Sequence, residues 1–283
     1  MERHSYTRLT LALDIIGRIK EGPWAGYHEL AAIKHQIDLY DTIIIEPASK
    51  LSFECNDPQV PCNEKNLCLQ AVTLLQKEYR VNRQVRIMVE KRIPVMGGLA
   101  GGSANAATTL QLLNELWKLR LSVRRLMDLG RMLGMDVPYY FTGGTVFDTE
   151  AKGFIEPLPT KINQTFVLAI PDFGVSTIEA YEGIDYGAIG HKRDITEQML
   201  HYCLANNRQG VVSSIHNDFE ESVFARHPRL KAIKRELLDA GCEAAALSGS
   251  GSTLFGIASD MEQAASVQKK ISCRTMRVST LAL

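Results

Sequence analysis

A glycine-rich segment is the first place in this sequence where residue types and spacing suggest chemistry. Residues 94–110 read PVMGGLAGGSANAATTL, and four of the six residues from 97 to 102 are glycine. In regular structure each such glycine costs about 0.5–1 kcal/mol, and its usual purpose is close approach of the backbone to a ligand. Successive backbone N–H groups that lead into a helix N-terminus bind anions. The segment therefore predicts a phosphate-binding loop, and the alternative is tight helix–strand packing without a ligand.

Two common nucleotide-binding loops do not fit this segment. A Walker loop needs GxxxxGK followed by Ser or Thr, and no Lys follows these glycines. The dinucleotide fingerprint GxGxxG cannot be aligned with GGLAGG. The remaining pattern is a strand, a proline, the glycine loop, Ser103 and an alanine-rich helix. Its small residues Ala104, Ala106 and Ala107 leave room for a bulky phosphate group.

Two ionisable residues could act on a bound phosphate. Asp136 lies between Met135 and Val137 in a locally apolar sequence. A carboxylate in such a place could accept a proton from a hydroxyl group that attacks a phosphate. A capping or surface role for Asp136 is the alternative. Arg8 shares one face of a predicted strand with Thr10 and would supply positive charge, unless it only pairs with a surface acid.

Length and composition limit the classes of protein to which this chain could belong. The chain has 283 residues, of which 45% are hydrophobic and 23% are charged, as in a globular protein with a sizeable core. Lys plus Arg and Asp plus Glu both number 32, so the formal net charge is zero. This balance argues against a general binder of nucleic acid or membrane surfaces, but allows a small anionic substrate in a local basic pocket.

Cysteine usage and apolar runs indicate where the protein works. Its six cysteines show no CxxC pair and no histidine at zinc-ligand spacing, which predicts reduced, mostly buried thiols. No segment approaches 18 consecutive apolar residues, and the first residues lack the apolar core of a signal peptide. We therefore expect a cytoplasmic location.

The hydrophobic pattern predicts a mixture of strands and helices. Alternation predicts strands in RLTLALDII, TIIIEP, QVRIMVEKRIP, GGTVFD, FVLAIPDF, AAALS and STLFGIA. Helical spacing predicts helices over 64–80, over the residues after Ser103, over 122–134 between a Ser122 cap and Gly134, and in PRLKAIKRELLDAG. The residue pattern changes near residues 155–165, which suggests a domain boundary there. We predict an α+β protein of two domains, residues 1–157 and 158–283.

The glycine segment resembles the phosphate-binding motif of the GHMP small-molecule kinases. It is most similar to PxxxGLGGGSSNAA of the branch that acts on 4-diphosphocytidyl-2-C-methyl-D-erythritol, with Ala100 replacing a glycine and Ala104 a serine. Segments 26–30, 133–138, 174–181, 217–220 and 247–256 (GYHEL, LGMDVP, GVSTIEAY, NDFE and LSGSGSTLFG) match further motifs of that branch in order. The resemblance covers nearly the whole chain.

This resemblance implies a fold and a reaction. The expected fold is the two-domain GHMP kinase fold, with a ribosomal-protein-like N-terminal domain, a ferredoxin-like C-terminal domain and a cleft between them. The expected reaction transfers the γ-phosphate of ATP to the 2-hydroxyl of 4-diphosphocytidyl-2-C-methyl-D-erythritol, in the non-mevalonate route to isoprenoid precursors. The implied cofactors are ATP and Mg²⁺, and the partner is a small-molecule substrate, with no nucleic acid and no membrane. The protein would be a monomer or a homodimer.

The resemblance also implies roles for individual residues. Asp136 would be the catalytic base, with Arg8 at the position of a catalytic lysine and Ser103 near Mg²⁺. The ATP-binding residues would be Pro94, Val95, Met96, Gly97, Gly98, Leu99, Ala100, Gly101, Gly102, Ser103, Ala104 and Asn105. The substrate-binding residues would be Thr10, Tyr27, His28, Thr177, Tyr181, Gly249 and Gly251. Tyr27 and Tyr181 would stack on the two faces of the cytosine, and His28 would hydrogen-bond its edge.

The largest departure from the family pattern lies in the first strand. Arg8 stands where the family has Lys, and Thr10 stands where it has Asn. Arginine is bulkier and binds as a planar fork, so the exchange is not conservative at a tight site. Lys20, Lys91 and Lys152 are candidates to compensate for the missing lysine. Four extra residues around Trp24 would either cover the cytidine pocket or pack on the surface.

Three other functions remain open at this point. Another GHMP kinase, acting on mevalonate-type or sugar substrates, would ignore the cytidine moiety. A nucleotide-binding relative that has lost catalysis would agree with the changes at Arg8 and Thr10. An RNA-binding module is conceivable because the expected N-terminal fold recurs in ribosomal proteins, but the zero net charge argues against it.

Overall fold

The computed structural model describes residues 1–22, 25–149, 154–187, 189 and 193–281, so Trp24 and Lys152 lie outside the described residues. The chain forms two compact units. The first unit contains Met1–Thr7, Leu39–Val95 and Ala100–Gly143. The second contains Arg8–Asp38, Met96–Leu99 and Gly144–Leu283. Two long strands, β1 (Glu2–Arg18) and β2 (His28–Ala48), run through both units.

The first unit combines part of a sheet with three helices. Its shorter strands are β3 (Ser52–Cys55) and β4 (Gln84–Glu90), in the order β3-β4-β2-β1. β4 is antiparallel to β2 and parallel to β3. The helices are α1 (Leu67–Tyr79), α2 (Gly101–Leu116) and α3 (Val123–Leu133), followed by a 3-10 helix, Pro138–Phe141.

The core of the first unit explains why these elements form. Ile43, Ile45 and Ile87 of the strands are fully buried, and they pack in one cluster with residues of all three helices. From α2 the fully buried members include Ala106 and Leu110, which the helical spacing predicts. The apolar stripe of α2 is therefore fixed against the sheet, and this packing holds the N-terminus of the helix in place.

The described residues of the second unit form an antiparallel sheet and six helices. The strands are β5 (Thr145–Asp148), β6 (Ile155–Pro157), β7 (Thr165–Ile170), β8 (His216–Asn217), β9 (Ala244–Leu247), β10 (Leu254–Ala258) and β11 (Arg274–Ser279). The helices are α4 (Thr177–Glu182), α5 (Arg193–Leu204), α6 (Arg208–Ser213), α7 (Phe219–Arg226), α8 (Pro228–Asp239) and α9 (Met261–Gln268). The order β11-β7-β10-β9 forms the four-stranded sheet, and β8 runs parallel to β1 at Ala12 and Leu13.

The strongly periodic elements agree with the sequence predictions. β1, β2, β4, β5, β7, β9 and β10 overlap the predicted strands, and α1, α2, α3 and α8 overlap the predicted helices. Ser122 caps α3 by accepting a hydrogen bond from the Arg125 N–H, and Gly134 ends that helix. β8 was not predicted because two residues are too few to show alternation. The boundary between residues 157 and 158 stays a prediction.

The structure bears on two further predictions, the state of the cysteine thiols and the lack of a long apolar segment. All six cysteines are free thiols, of which Cys68, Cys203 and Cys242 are buried. Burial raises the pKa of each of these three thiols to about 11, so they stay protonated at neutral pH. Within the described part of the chain, no helix has the length and apolar character needed to cross a membrane.

Candidate active site

The glycine loop alternates in backbone handedness. Met96, Gly98 and Ala100 have positive φ angles of 54°, 70° and 51°. Alternation between left-handed and ordinary residues turns successive N–H groups toward one side, which is the geometry of an anion-binding nest. The loop leads directly into α2, whose first residue is Gly101. The backbone thus has both features expected of a phosphate-binding loop, a nest of N–H groups and a helix N-terminus directly after it.

The carbonyl groups of the loop point toward the second glycine-rich turn of the chain. The Gly98 carbonyl accepts hydrogen bonds from Arg8 Nη1 at 2.9 Å and from Ser248 Oγ at 3.2 Å. The Gly97 carbonyl accepts one from the Thr253 N–H at 3.2 Å. In a trans peptide the N–H points opposite to the carbonyl, so the amides that follow these carbonyls face away from Arg8 and Thr253.

Gly98 has no space for a side chain. A Cβ atom on it would lie 2.0 Å from the Ser248 carbonyl oxygen and 2.8 Å from the Gly251 nitrogen. Its φ of 70° also lies in the left-handed region that favours glycine. The density of glycine in the loop is therefore explained at this position by a close approach of two backbone turns.

The N-terminus of α2 lies beside a buried ion pair that the sequence analysis did not find. Lys91 Nζ is 2.5 Å from Asp41 Oδ2, and a Cβ on Gly101 would lie 3.0 Å from the same Nζ. Asp41 Oδ1 also accepts hydrogen bonds from the backbone N–H groups of Arg92 and Ile93. Asp41 thus fixes the strand end that enters the loop. A polar residue inside the apolar run LYDTIII was the signal that could have revealed it.

Of the three lysines considered as replacements for the family's lysine, Lys91 lies beside Gly101 at the N-terminus of α2. Its ammonium group is almost fully buried and already paired with a carboxylate. Lys20 is exposed. Tyr140 adds a further contact by donating a hydrogen bond from its hydroxyl to the Ala100 carbonyl at 3.2 Å.

Asp136 follows the end of α3 and precedes the 3-10 helix. Gly134 caps α3, and the N–H of Val137 bonds to the Gly134 carbonyl in a tight turn that contains Asp136. Val137 and Pro138 are buried, whereas the Asp136 side chain is half-buried. A carboxylate on a turn between two fixed elements has a defined position and remains reachable by a substrate hydroxyl.

Aromatic side chains of the second unit form a layered group. The rings of His28 and Tyr181 are stacked with centroids 3.9 Å apart, and Phe219 meets Tyr181 edge-on at 4.9 Å. His28 Nε2 lies 2.5 Å from the hydroxyl oxygen of Tyr186, a residue that sequence reasoning missed. Tyr27 is 50% exposed. The structure therefore brings His28 and Tyr181 together, with the histidine ring lying on the tyrosine face.

The turn between β9 and β10 is held by Asn217. Its Nδ2 donates hydrogen bonds to the carbonyls of Leu247 and Gly249, both at 2.8 Å. Thr177 Oγ1 lies 3.3 Å from the hydroxyl of Ser250 in the same turn. Gly249 and Gly251 have positive φ angles of 54° and 88°. The predicted substrate residues Thr177, Gly249 and Gly251 are thus grouped around one turn.

Thr10 lies on the same face of β1 as Arg8. Both side chains are buried, at 1% and 4% exposure. The Thr10 hydroxyl has no hydrogen-bond partner among the described residues. A buried hydroxyl without a partner costs free energy, and a bound ligand would relieve that cost.

Comparison with known proteins identifies the family. Residues 66–144 match the GHMP kinases N-terminal domain, and residues 199–278 match the GHMP kinases C-terminal domain. The chain is 35% identical over 272 residues to the 4-diphosphocytidyl-2-C-methyl-D-erythritol kinase of Alkaliphilus metalliredigens, covering 95% of this chain and 91% of the relative. This chain belongs to the GHMP kinase family.

Two further comparisons agree with the assignment of this chain to the GHMP kinase family. It is 36% identical over 264 residues to the 4-diphosphocytidyl-2-C-methyl-D-erythritol kinase of Clostridium perfringens strain SM101, covering 92% of this chain and 90% of the relative. A crystal structure of 4-(cytidine 5'-diphospho)-2C-methyl-D-erythritol kinase superimposes with a TM-score of 0.80 at 26% identity, with all of both chains covered. The predicted family, the α+β two-domain GHMP fold and the kinase activity are confirmed.

The residues of this GHMP kinase fit a nucleotide phosphate better than a tightly held metal. No group of three or more His, Cys, Asp or Glu side chains in the described ranges could hold a metal ion by itself. Gly98 and Gly101 are closely surrounded by protein atoms, whereas a Cβ on Gly102 would have its nearest neighbour at 4.0 Å, so space is left beside the start of α2. Asn105 Oδ1, in the second turn of α2, is buried and lacks a hydrogen-bond partner within the described part of the chain. These features suit an ATP phosphate group at the N-terminus of α2.

Proposed function

We propose that this kinase transfers the γ-phosphate of ATP to the 2-hydroxyl of 4-diphosphocytidyl-2-C-methyl-D-erythritol. The observation that carries the proposal is the 35% identity, over 95% of the chain, to a relative named for that substrate. The reaction belongs to the non-mevalonate route to isoprenoid precursors. The glycine loop would bind ATP. The turn 248–253 and the aromatic group around His28 would bind the cytidine substrate.

The loop would bind the phosphates of ATP through backbone amides. The carbonyls of Gly97 and Gly98 are already bonded to Thr253, Arg8 and Ser248. The amide groups on the opposite sides of those peptides are therefore oriented away from these partners. The partial positive charge at the N-terminus of α2 adds to this field. Binding of this kind requires no lysine in the loop.

Asp136 would accept the proton of the attacking hydroxyl, and Arg8 would stabilise the charge of the transferring phosphoryl group. The half-buried position of Asp136 on a tight turn supports the first role. The buried guanidinium of Arg8, bonded to the loop at Gly98, supports the second. Both roles follow the family positions of these residues.

Mg²⁺ would be held mainly by the nucleotide, with the Ser103 hydroxyl as the protein ligand. Magnesium keeps several waters and usually takes only one or two protein ligands at such sites. Ser103 is half-buried in the first turn of α2. When bound, the ion neutralises negative charge on the phosphates. A single hydroxyl agrees with the lack of a carboxylate cluster among the described residues.

Partners and location follow from the same proposal. The partner is a small molecule, and we expect neither nucleic acid nor membrane to bind. The free thiols of all six cysteines agree with a reducing compartment such as the cytoplasm. We expect a monomer or a homodimer.

The decisive experiment measures ADP release by the purified protein with ATP, Mg²⁺ and 4-diphosphocytidyl-2-C-methyl-D-erythritol. Phosphorus NMR of the product identifies the phosphorylated hydroxyl. We expect turnover in the parent and a loss of at least about a hundredfold in Asp136→Asn, which keeps the shape of the side chain but cannot take the proton. R-mevalonate, tested in parallel, should not be phosphorylated. Turnover of mevalonate without the cytidine compound would replace the proposed substrate.

The contact of Arg8 favours a second function, which is nucleotide binding without catalysis. Arg8 uses Nη1 to hold the Gly98 carbonyl, whereas lysine is usual at this position in the family. A chain in which Arg8 only supports the loop would bind ATP without turning it over. Calorimetric binding of ATP and of the cytidine compound, together with activity that appears only in Arg8→Lys, would identify a silenced relative.

A further inference from the structure

Tyr186 is joined to the histidine of the aromatic group by a short hydrogen bond. His28 Nε2 and Tyr186 Oη are 2.5 Å apart. The two ring planes differ by 13° and their centroids are 6.0 Å apart. Such a short contact between nearly parallel rings with widely separated centroids means that the rings lie side by side in almost one plane. One face of the His28 ring rests on Tyr181, with an angle of 11° between the planes.

Arg18 completes this arrangement on the far side of Tyr186. Its Nε donates a hydrogen bond to Tyr186 Oη at 2.9 Å, and its Cζ lies 5.4 Å from the centroid of that ring. The three side chains form a chain of contacts from Arg18 through Tyr186 to His28. Arg18 is the second residue in the sequence GRIKEG, at the beginning of the segment that is longer here than in the family pattern.

Two donor arrangements are compatible with these contacts. Arginine can only donate, so Tyr186 Oη accepts from Arg18. The phenol hydrogen is then either directed at His28 Nε2 or left to solvent while His28 donates from Nε2. Each arrangement leaves one hydrogen without a partner among the described residues, on Nδ1 of His28 in the first and on the phenol in the second.

Electrostatics favour the arrangement in which Tyr186 donates to His28 Nε2. A guanidinium that donates to a phenol oxygen draws electron density from it, so the phenol becomes a better donor. Partial burial and the positive charge of Arg18 lower the pKa of His28 from its usual value, which keeps the ring neutral at physiological pH. A neutral histidine that accepts at Nε2 has its proton on Nδ1. No described residue forms a hydrogen bond with His28 Nδ1, so this donor is available to a ligand.

We propose that Tyr186 is a positioning residue that holds His28 in the Nδ1–H form and thereby selects cytosine over uracil as the base of the substrate. The N3 atom of cytosine is an acceptor that matches an Nδ1–H donor, whereas N3 of uracil carries a hydrogen and would oppose it. A site built to donate at that point rejects the base that cannot accept. The inference rests on the proposed function, because it assumes a cytidine diphosphate substrate.

The first test reads the tautomer without any turnover. Imidazole nitrogen shifts of ¹⁵N-histidine-labelled protein, with His28 assigned by His28→Gln, distinguish Nδ1–H from Nε2–H in the ligand-free protein. We expect Nδ1–H in the parent and a mixture of tautomers in Tyr186→Phe, which keeps the ring and loses the hydroxyl. A parent with Nε2–H, or a Tyr186→Phe protein with an unchanged tautomer, overturns the proposal.

The second test measures base selection. Calorimetry with cytidine diphosphate and uridine diphosphate gives the preference of the protein, and kinetics with the cytidine and uridine forms of the full substrate give the ratio of kcat/KM. In Tyr186→Phe we expect the preference to fall about tenfold, mainly through KM, with kcat little changed. Tyr202→Phe, in α5, is the matched control and should keep the parental preference.

The outcomes separate this inference from the proposed function. A parent that binds cytidine diphosphate selectively, shows the Nδ1–H form and yet phosphorylates nothing would contradict the proposed reaction and retain the role of Tyr186. A parent that turns over the cytidine substrate while Tyr186→Phe discriminates the two bases as well as the parent does would contradict the role of Tyr186 and retain the reaction.

Discussion

Arg8 donates a hydrogen bond from Nη1 to the main-chain carbonyl of Gly98 over 2.9 Å, although the two residues are 90 positions apart in the chain. The same carbonyl is bonded to Ser248 Oγ. A buried cation is therefore attached directly to the glycine loop, at the position where the resemblance to GHMP kinases implies a lysine. The guanidinium of arginine is planar and carries several donors, and the bond to Gly98 is one of the contacts that Arg8 makes.

Exchange of Arg8 should affect turnover more than ATP binding. We expect Arg8→Gln to lower kcat by about a hundredfold to a thousandfold, because the positive charge near the transferring phosphoryl group is lost while an N–H donor remains. Arg8→Lys keeps the charge and should stay within about tenfold of the parent. Steady-state kcat and KM for ATP test both expectations. An Arg8→Gln protein with parental kcat would exclude an electrostatic role for Arg8.

Gly98→Ala should destabilise the protein, because its Cβ would lie 2.0 Å from the Ser248 carbonyl oxygen. We expect the melting temperature to fall by several degrees, as for other overpacked buried sites. Gly102→Ala is the matched comparison, since the nearest atom to its Cβ would be 4.0 Å away and alanine favours a helix. Thermal unfolding of the two variants gives the comparison. Equal melting temperatures would show that the turn 248–253 moves away easily.

A buried histidine should make the folded state sensitive to acid. His35 is 3% exposed and its ring nitrogens lie 2.8 Å from the hydroxyl oxygens of Thr145 and Thr280. Burial lowers the pKa of His35 from 6.5 to about 4. The unfolded chain therefore binds more protons than the folded chain between these values, and this contribution to stability is lost as the pH falls from 6.5 toward 4.

The expected loss from His35 is about 3 kcal/mol in the free energy of unfolding, at 1.36 kcal/mol per pKa unit. Urea unfolding at pH 7.0, 5.5 and 4.5 measures it. His35→Gln should be less stable than the parent at pH 7 and should lose less stability on acidification. His201→Gln, at an exposed position in α5, serves as the control. A parallel pH dependence in the parent and His35→Gln would refute the assignment.

The ion pair between Lys34 and Asp148 should be costly to break on one side only. Lys34 Nζ lies 2.9 Å from Asp148 Oδ2, and the side chains are 1% and 0% exposed. Removing one partner leaves a buried charge, so we expect Lys34→Met to lose about 3–5 kcal/mol in the free energy of unfolding. Lys34→Met combined with Asp148→Leu should recover most of that loss. A double variant as unstable as Lys34→Met would show that the pair contributes more than charge neutralisation.

Local patterns in the sequence were sufficient for the periodic elements and for the loop. β1, β4 and β10 follow from alternation, and α3 follows from its cap at Ser122 and its stop at Gly134. These signals are local because a side-chain period or a capping hydrogen bond involves residues a few positions apart. The glycine loop was predicted for the same reason, since its density of glycine is a property of six consecutive residues.

The contacts that complete the candidate site could not be predicted in this way. Tyr186 lies 158 residues from His28, and Asp41 lies 50 residues from Lys91. No periodicity links such pairs, because they meet only after separate elements have packed. The resemblance to GHMP kinases supplied His28, Tyr181 and Asp136 as candidates, but it contained no information on Tyr186, Arg18 or Asp41, whose partners are set by packing.

The sequence by itself determined the family, the kinase chemistry and the order of the main strands and helices. Only the tertiary structure decided that Arg8 is attached to Gly98, that the His28 ring rests on Tyr181, and that Tyr186 reaches His28 Nε2. The physical reason is the range of the interactions. Hydrophobic period and backbone handedness act between near neighbours in sequence, whereas hydrogen bonds to buried charges depend on distances of about 3 Å that arise only when distant segments fold together.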